Sequence, residues 1–434
     1  MNGQRFTWLG FGGLAAIVGG CQLVSGLSGY QESGGTSGSV SATSGSGSGS
    51  GGAGGSGGDH GASVASTGGD SSSGSGGCLP GTVTCGGSTC IDRMINPLNC
   101  GECGRSCADS LTATPSCEQG NCAPVLVDAS NLTVTAISAN EQAVCWAGVK
   151  SKMFQGIQVR LAPSWGEVGP SGLSFAGSIG GLAVLPDGKS VLYSHNTLTS
   201  WAVDQWTFSA AASILATPSM SDLIAAGAVV VPGDGNFYWA GETANSEWHL
   251  YGTPLVGAPA QPSVDRVTNT ASLPIATAPD KNVFWPEAPH FNRLNAPSVV
   301  GGALYKNFLQ NEPRYLAADT DPTGYLYWIG LVGPSEPSTL SRILKTATDQ
   351  GIADVEAYQV PTAVGLVADD AHVYWLERGP CPSATGRLMK LTWGGDPEPL
   401  VSGLVCPTNL ALGGNYLYYS VGLIGSMEIY RVVR

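Results

Sequence analysis

The chain has 434 residues, enough for two or three domains, and only 12% of them are charged. Its 19 Lys and Arg against 32 Asp and Glu give a formal net charge of −13. An acidic chain without a basic cluster argues against binding to nucleic acid or to an anionic membrane surface. Twelve cysteines indicate an oxidising compartment.

The N-terminus has the pattern of a signal peptide, which we place at residues 1–20. One positive charge, Arg5, precedes an apolar stretch from Trp8 to Val18 that is too short to cross a bilayer as a helix. The segment V-G-G-C that ends at Cys21 resembles a bacterial lipobox. The resemblance implies cleavage before Cys21 and lipidation of that residue, whereas the alternative is an ordinary secretory signal that contains a cysteine.

Gln22 follows the expected lipidated cysteine. By analogy with known sorting rules, a residue other than Asp at this position favours the outer membrane or cell surface. Residues 25–77 are nearly all Gly, Ser, Ala and Thr, so they cannot bury enough apolar surface to fold. We therefore expect residues 21–77 to be a disordered tether with a reach on the order of 40 Å. No later apolar run is long enough to predict a transmembrane helix.

Residues 78–122 form a separate, cysteine-rich module. It contains eight cysteines in 45 residues: Cys78, Cys85, Cys90, Cys100, Cys103, Cys107, Cys117 and Cys122. A unit this small cannot hold a sizeable core, so the pattern predicts four disulfides. The spacing alone does not give their connectivity. A zinc site at Cys100 and Cys103 is the alternative, although a second matched pair and His ligands are missing.

The centre of this module, N-P-L-N-C-G-E-C-G-R-S-C from Asn96 to Cys107, has a recognisable pattern. It resembles the N-x-x-N-C-G-x-C-G-x-x-C module of stigma-specific cysteine-rich proteins. Similar modules recur in secreted lipoproteins of myxobacterial type. The resemblance covers only this module, and it implies a structural spacer or contact unit rather than a catalytic one.

A single motif recurs seven times in the remaining chain, residues 123–434. Each repeat has a short apolar run, then a turn rich in Asp, Asn or Gly, then an aromatic or similar doublet, and the second doublet residues lie 43 to 48 positions apart. The doublets are Cys145-Trp146, Tyr193-Ser194, Tyr238-Trp239, Phe284-Trp285, Tyr327-Trp328, Tyr374-Trp375 and Tyr418-Tyr419. This period and these strand-like segments predict an all-β, seven-bladed β-propeller.

The two ends of this region predict how the ring closes. The last repeat stops after its third strand, at Val433. The segment from Pro124 to Val127, just before the first repeat, looks like the fourth strand of the other repeats. We therefore expect the N-terminal strand to complete the last blade.

Two repeats carry a family resemblance. Val373-Tyr374-Trp375 follows an Ala-Asp turn, and so does Leu326-Tyr327-Trp328. They resemble the repeats of secreted bacterial propellers and of the YWTD propellers of receptor ectodomains. The strict tetrad is not present, since Ile329 and Leu376 occupy the Thr position. The resemblance supports the fold, and it says little about function.

The remaining cysteines have distinct expected roles. Cys381 should lie in the loop between the second and third strands (the b–c loop) of repeat six, and Cys406 in the loop that leads to repeat seven. Both loop types lie on one face of a propeller, so we predict a disulfide between them. Cys145 occupies a doublet position, so we expect a buried, unreactive thiol.

A ligand site, if there is one, is expected on the same face as that disulfide. The sequence suggests a long b–c loop with Glu287, His290 and Arg293, together with Glu377 and Arg378. The alternative is that these residues belong to solvated loops. No catalytic motif occurs, and we expect neither a cofactor nor a bound metal. Calcium at the recurrent Asp turns is an alternative that turn chemistry explains equally well.

These observations favour a lipid-anchored, surface-exposed binding protein that uses the propeller as a platform and is not an enzyme. The expected partners are the membrane, through the anchor, and an unknown protein or glycan ligand, with no nucleic acid, and the chain is expected to be monomeric. The competing hypothesis is a propeller enzyme of the lyase, hydrolase or dehydrogenase type. Such an enzyme would need titratable residues from several blades to converge on the central channel.

Overall fold

The structure is a computed structural model. It describes residues 78, 80–86, 89–108, 115–151, 154–162, 166–167, 173–196, 201–208, 213–220, 223–233, 235–255, 264–268, 273–278, 281–287, 290–295, 301–306, 312–331, 338–346 and 358–434. All regular elements in these residues are β-strands. The expected signal peptide, Cys21 and the tether lie outside the described residues. Nothing helical in the described part of the chain has the length and apolar composition needed to cross a bilayer.

The cysteine-rich module consists of two short hairpins braced by disulfides. The hairpins pair β1 with β2 and β3 with β4, with bounds Val83–Thr84, Cys90–Ile91, Cys117–Glu118 and Asn121–Cys122. Four disulfides are formed, as the cysteine count predicts: Cys78–Cys90, Cys85–Cys103, Cys100–Cys117 and Cys107–Cys122. The zinc alternative placed a ligand pair at Cys100 and Cys103, and both sulfurs are bound in these bridges.

The rest of the chain is a β-propeller of consecutive antiparallel sheets. Strand β5 spans Val125–Ser130. Sheet 1 contains β6 Thr133–Ala139, β7 Ala143–Ser151, β8 Phe154–Leu161, β9 Gly166–Glu167 and β10 Leu173–Ala176. Sheet 2 contains β11 Ile179–Val184, β12 Ser190–Asn196, β13 Trp201–Thr207 and β14 Ser213–Met220. Sheet 3 contains β15 Leu223–Val230, β16 Asn236–Thr243, β17 Trp248–Pro254 and β18 Val264–Thr268.

The later repeats give four further sheets with the same strand order. Sheet 4 contains β19 Ala276–Thr277, β20 Asn282–Glu287, β21 His290–Asn295 and β22 Gly301–Lys306. Sheet 5 contains β23 Glu312–Ala318, β24 Tyr325–Leu331, β25 Thr339–Leu344 and β26 Tyr358–Gln359. Sheet 6 contains β27 Ala363–Ala368, β28 Val373–Glu377, β29 Gly386–Leu391 and β30 Glu398–Leu404. Sheet 7 contains β31 Asn409–Gly413, β32 Tyr416–Leu423, β33 Ser426–Val433 and β5.

The prediction of a seven-bladed propeller needs a correction. The propeller has six four-stranded blades, whereas the first repeat forms a five-stranded sheet. The outer edge of β8 is shared by two short strands, because β10 pairs with its first half and β9 with its last two residues. Both strands occupy the position that a single outer strand holds in the other sheets.

Ring closure follows the prediction from the two chain ends. Strand β5 pairs antiparallel with β33, with Leu126 opposite Tyr430 and Ser130 opposite Met427. The last sheet is thus completed by the N-terminal strand, which ties both ends of the propeller together.

The aromatic doublets belong to the core, as the repeat pattern predicts. Trp146, Trp239, Trp375, Tyr374 and Tyr418 are among the largest fully buried side chains. Successive residues of a strand point to opposite faces of its sheet, so the two members of a doublet pack against different neighbouring sheets. Tyr374 shares a cluster with sheet 7, and Trp375 shares one with sheet 5.

The cysteine-rich module packs against sheets 6 and 7. Cys100, Cys107, Cys117 and Cys122 share one buried cluster with Leu388, Leu417 and other side chains of these sheets. Arg105 donates hydrogen bonds to the carbonyl of Gly120 at 3.4 Å and, across the contact, to that of Val433 at 3.1 Å. The module is therefore attached to the propeller next to the point where the ring closes.

Candidate functional site

The central channel has an almost entirely aliphatic wall. The last residues of the innermost strands of six sheets line a cavity of about 290 Å³, with Leu316, Leu366 and Leu410 among them. Ser138 and Thr277 are its only lining residues with a hydrogen-bonding side chain, and Ser138 accepts a bond from the backbone of Val184 at 3.0 Å. No titratable side chain lines this cavity among the described residues. The wall can exclude water from an apolar group, but it offers no acid, base or nucleophile.

The turn before β24 holds a buried ion pair instead of a calcium site. The Lys345 ammonium lies 2.9 Å from the Asp319 carboxylate, and both side chains are buried. Lys345 also donates to the backbone carbonyl of Asp319 at 3.0 Å and to that of Asp321. The Asp319 carboxylate accepts the backbone N–H of Tyr325 at 2.6 Å. The lysine ammonium thus lies against the Asp319 carboxylate and the backbone carbonyls of this turn.

The equivalent turn before β28 holds a second charged network. The Arg434 guanidinium lies 2.6 Å from the Asp369 carboxylate, which also accepts the Tyr374 hydroxyl at 3.1 Å. Burial alone would raise the pKa of Asp369. Hydrogen bonds from His372 and from the backbone of Ala371, with the charge of Arg434, outweigh burial and lower this pKa well below its usual range. This carboxylate is therefore an anion at neutral pH that fixes the turn and Arg434.

One buried His–carboxylate pair connects β12 and β13 of sheet 2. His195 Nε2 is 2.7 Å from the Asp204 carboxylate, and both residues are buried. The neighbouring Tyr193 ring lies 5.1 Å from the His195 ring, and burial together with the charge of Asp204 raises the pKa of Tyr193 well above its usual value. None of the three residues lines the channel cavity. The pair joins two neighbouring strands of sheet 2 and is not part of the channel wall.

The predicted ligand loop on sheet 4 is wrong. Glu287 ends β20 and His290 begins β21, so two residues connect these strands in place of a long loop. Arg293 lies inside β21 and donates to the backbone carbonyl of Lys345 at 2.8 Å. This contact is on the side of the turns that join the first and second strands of each repeat (the a–b turns). Arg293 therefore does not share a loop face with Glu287. The orientation of the His290 side chain lies outside what the structure describes.

The predicted residues on sheet 6 form a structural network. Glu377 accepts hydrogen bonds from Trp375 Nε1 at 3.1 Å and from Arg387 Nε at 3.0 Å. Cys381 forms a disulfide with Cys406, and Arg378 Nε donates to the Cys381 sulfur at 3.4 Å. Sheet 5 separates these residues from Glu287 and His290, so the structure does not assemble the five residues into one site.

Sequence reasoning missed an aromatic and cationic cluster between sheets 5 and 6. The Arg342 guanidinium carbon lies 3.9 Å from the centre of the Tyr325 ring and 4.2 Å from that of the Trp393 rings. Tyr358 packs edge-on against Trp393 at 5.3 Å. Trp393 lies in a turn outside the doublet pattern, and this departure is the one sequence signal that could have drawn attention to it.

Comparison with known proteins shows the fold and not the family. No family model and no curated relative matches the chain. The solved WD40 repeats of RRP9 are 10% identical with a TM-score of 0.50, over 71% of this chain and 97% of that one. The structure of U3-55K is 10% identical with a TM-score of 0.50, over 72% and 98%.

The propeller domain of the Trilobed protease from Pyrococcus furiosus is also similar, at 10% identity and a TM-score of 0.48, over 69% of this chain and 95% of that one. Sharing the propeller fold does not separate binding from catalysis.

Proposed function

We propose that the protein is a lipid-anchored surface protein whose propeller is a platform for binding another molecule. The observation that carries this proposal is the aliphatic channel wall, which has no titratable side chain among the described residues. A propeller enzyme of the kind considered above needs such groups at the axis. The charged residues that are near the channel ends, such as Asp319 and Asp369, are occupied by internal partners.

The anchor part of the proposal rests on the lipobox-like segment before Cys21 and on the tether that follows it. Cys21→Ser should move the full chain from the membrane fraction to the soluble fraction of a bacterial host. Gln22→Asn is the matched control, because it changes the next residue and leaves the acylated cysteine in place. Equal membrane retention of the Cys21→Ser variant would contradict the anchor.

The platform part calls for a test that distinguishes the two faces of the propeller. Ile424 is at the tip of the β32–β33 hairpin and is 78% exposed, whereas Asp187 is exposed on the a–b turn face. A photo-crosslinking residue at each position, in cells that display the protein, should give a discrete adduct with one partner from one of the two faces. Equal, diffuse labelling from both positions would contradict a dedicated binding face.

A further inference from the structure

Arg342 differs from three other arginines of the propeller, each of which pairs with a carboxylate. Arg160 pairs with Asp128 at 2.9 Å, Arg387 pairs with Glu377, and Arg434 pairs with Asp369. Among the described residues, no carboxylate lies within ion-pair distance of Arg342, although the chain as a whole is strongly acidic. Arg342 is therefore a cation that the fold positions without neutralising it.

Two aromatic rings lie against the guanidinium of Arg342. The centres of the Tyr325 and Trp393 rings are 3.9 Å and 4.2 Å from its central carbon, a double cation–π arrangement. Tyr327 lies opposite Arg342 in the β24–β25 ladder and forms a side-chain hydrogen bond with it. The N–H donors of a guanidinium lie in its plane, and its edge is the part that binds carboxylate or phosphate oxygens in pairs.

Apolar surface lies beside this edge. Leu344 is two residues from Arg342 on β25, so it projects from the same face of the sheet, and it is 43% exposed. Trp393 and Tyr358 are half-buried, and the Tyr358 hydroxyl donates to the Gly395 carbonyl at 3.3 Å, which fixes the aromatic wall. A ligand held by the guanidinium would therefore meet an aliphatic and aromatic surface next to its charged group.

We propose that this groove between sheets 5 and 6 is a binding site for an oxyanion, centred on Arg342, with Trp393, Tyr358 and Leu344 as its apolar wall. A carboxylate on a sugar ring suits the groove, because the guanidinium binds the carboxylate and the apolar wall accepts the C–H face of the ring. A free phosphate ion has the same oxyanion chemistry and uses only the guanidinium. The site depends neither on the lipid anchor nor on the partner sought above.

The test uses the full chain with Cys21→Ser and isothermal titration with three probes: digalacturonate, inorganic phosphate and neutral maltose. Digalacturonate should bind with a millimolar or lower Kd and maltose should not, and Arg342→Gln should weaken binding on the order of tenfold or more. Arg314→Gln, an exposed arginine on β23 of the same sheet, is the matched control and should bind like the parent chain. Binding of phosphate but not digalacturonate, with the same dependence on Arg342, would assign the site to a free phosphate.

Arg342 also packs against two rings, so its loss could disturb the fold. Arg342→Lys keeps the charge and the packing stem but lacks the two-pronged donor edge, so it should retain the thermal midpoint and still lose most of the affinity. Absence of binding of both anions at about 10 mM by the parent chain would overturn the proposal, since that corresponds to negligible affinity. So would equal affinity of the parent chain and the folded Arg342→Lys and Arg342→Gln variants.

Discussion

The Lys345 ammonium lies 2.9 Å from the Asp319 carboxylate in the interior of sheet 5, where the lysine side chain is 1% exposed. Lysine and aspartate are rarely this buried unless they are paired. The pair connects two turns of sheet 5, because Lys345 also donates to the backbone carbonyl of Asp319. Arg293 of sheet 4 donates to the backbone carbonyl of Lys345, so a second contact links this turn to the adjacent sheet.

Removing this cation should strongly destabilise the propeller. Lys345→Met keeps the side-chain length but leaves the Asp319 carboxylate buried without a counter-charge, which should cost about 3–5 kcal/mol of unfolding free energy. Urea unfolding followed by tryptophan fluorescence measures the loss. Lys189→Met, at an exposed turn position, should change the unfolding free energy by less than about 0.5 kcal/mol.

A second substitution tests whether the charge pair is the cause. Adding Asp319→Asn to Lys345→Met removes the stranded carboxylate, so the double variant should be more stable than Lys345→Met alone. If the double variant loses as much unfolding free energy as the two single variants together, the two side chains act independently.

The Asp369 network should make stability depend on acid pH. Because the folded-state pKa of Asp369 is below its unfolded value, its contribution is complete at pH 7 and is lost as the pH falls from about 4 towards the folded pKa. Asp369→Asn should therefore cost roughly 2 kcal/mol at pH 7 and less at acid pH, because the parent chain loses the same interactions there. Urea unfolding at several pH values between 7 and 2.5 measures this difference.

The neighbouring residue provides the control for this pH dependence. Asp370 is exposed and adjacent in sequence, so Asp370→Asn should leave both the stability at pH 7 and its acid dependence nearly unchanged. A constant difference between Asp369→Asn and the parent chain over the whole pH range would show that Asp369 does not titrate as the structure implies.

Features that depend on local pattern could be predicted from the sequence. The doublet period identifies the strands that bury Trp239 and Trp375, and the incomplete last repeat identifies β5 as its missing strand. The doublets and the strand order recur in every repeat, so the assignment of strands in one repeat supports their assignment in the next. The disulfide count of the module also follows from composition alone, although its pairing does not.

Features that depend on residues from two repeats could not be predicted. Arg342 and Trp393 belong to different sheets and meet only because the ring brings sheets 5 and 6 together. The expected loop around Glu287 was wrong for a local reason. Pro286 lies within β20 opposite Phe291, although proline cannot donate to a strand ladder and is rare inside strands.

The docking of the cysteine-rich module should depend on Arg105. Arg105→Ala removes the hydrogen bond to the Val433 carbonyl, so amides at the end of β33 should exchange with solvent faster. The disulfides should keep the module itself folded, so its own amides should change less. Arg93→Ala, a half-buried arginine of the same module, is the control, and equal exchange in both variants would contradict a specific role for Arg105.

Counting thiols tests the cysteine assignments of the whole chain. Five disulfides use ten of the twelve cysteines, so in a chain with Cys21→Ser only Cys145 should remain as a thiol. Cys145 is 0% exposed, and burial raises the pKa of its thiol well above the usual value, so it should not react with Ellman's reagent in the native state. In denaturant without reductant, one thiol per chain should appear. Cys145→Ala, which should cost no more than about 1–2 kcal/mol, should abolish that signal, whereas a count of three would show that one of the five bridges does not form.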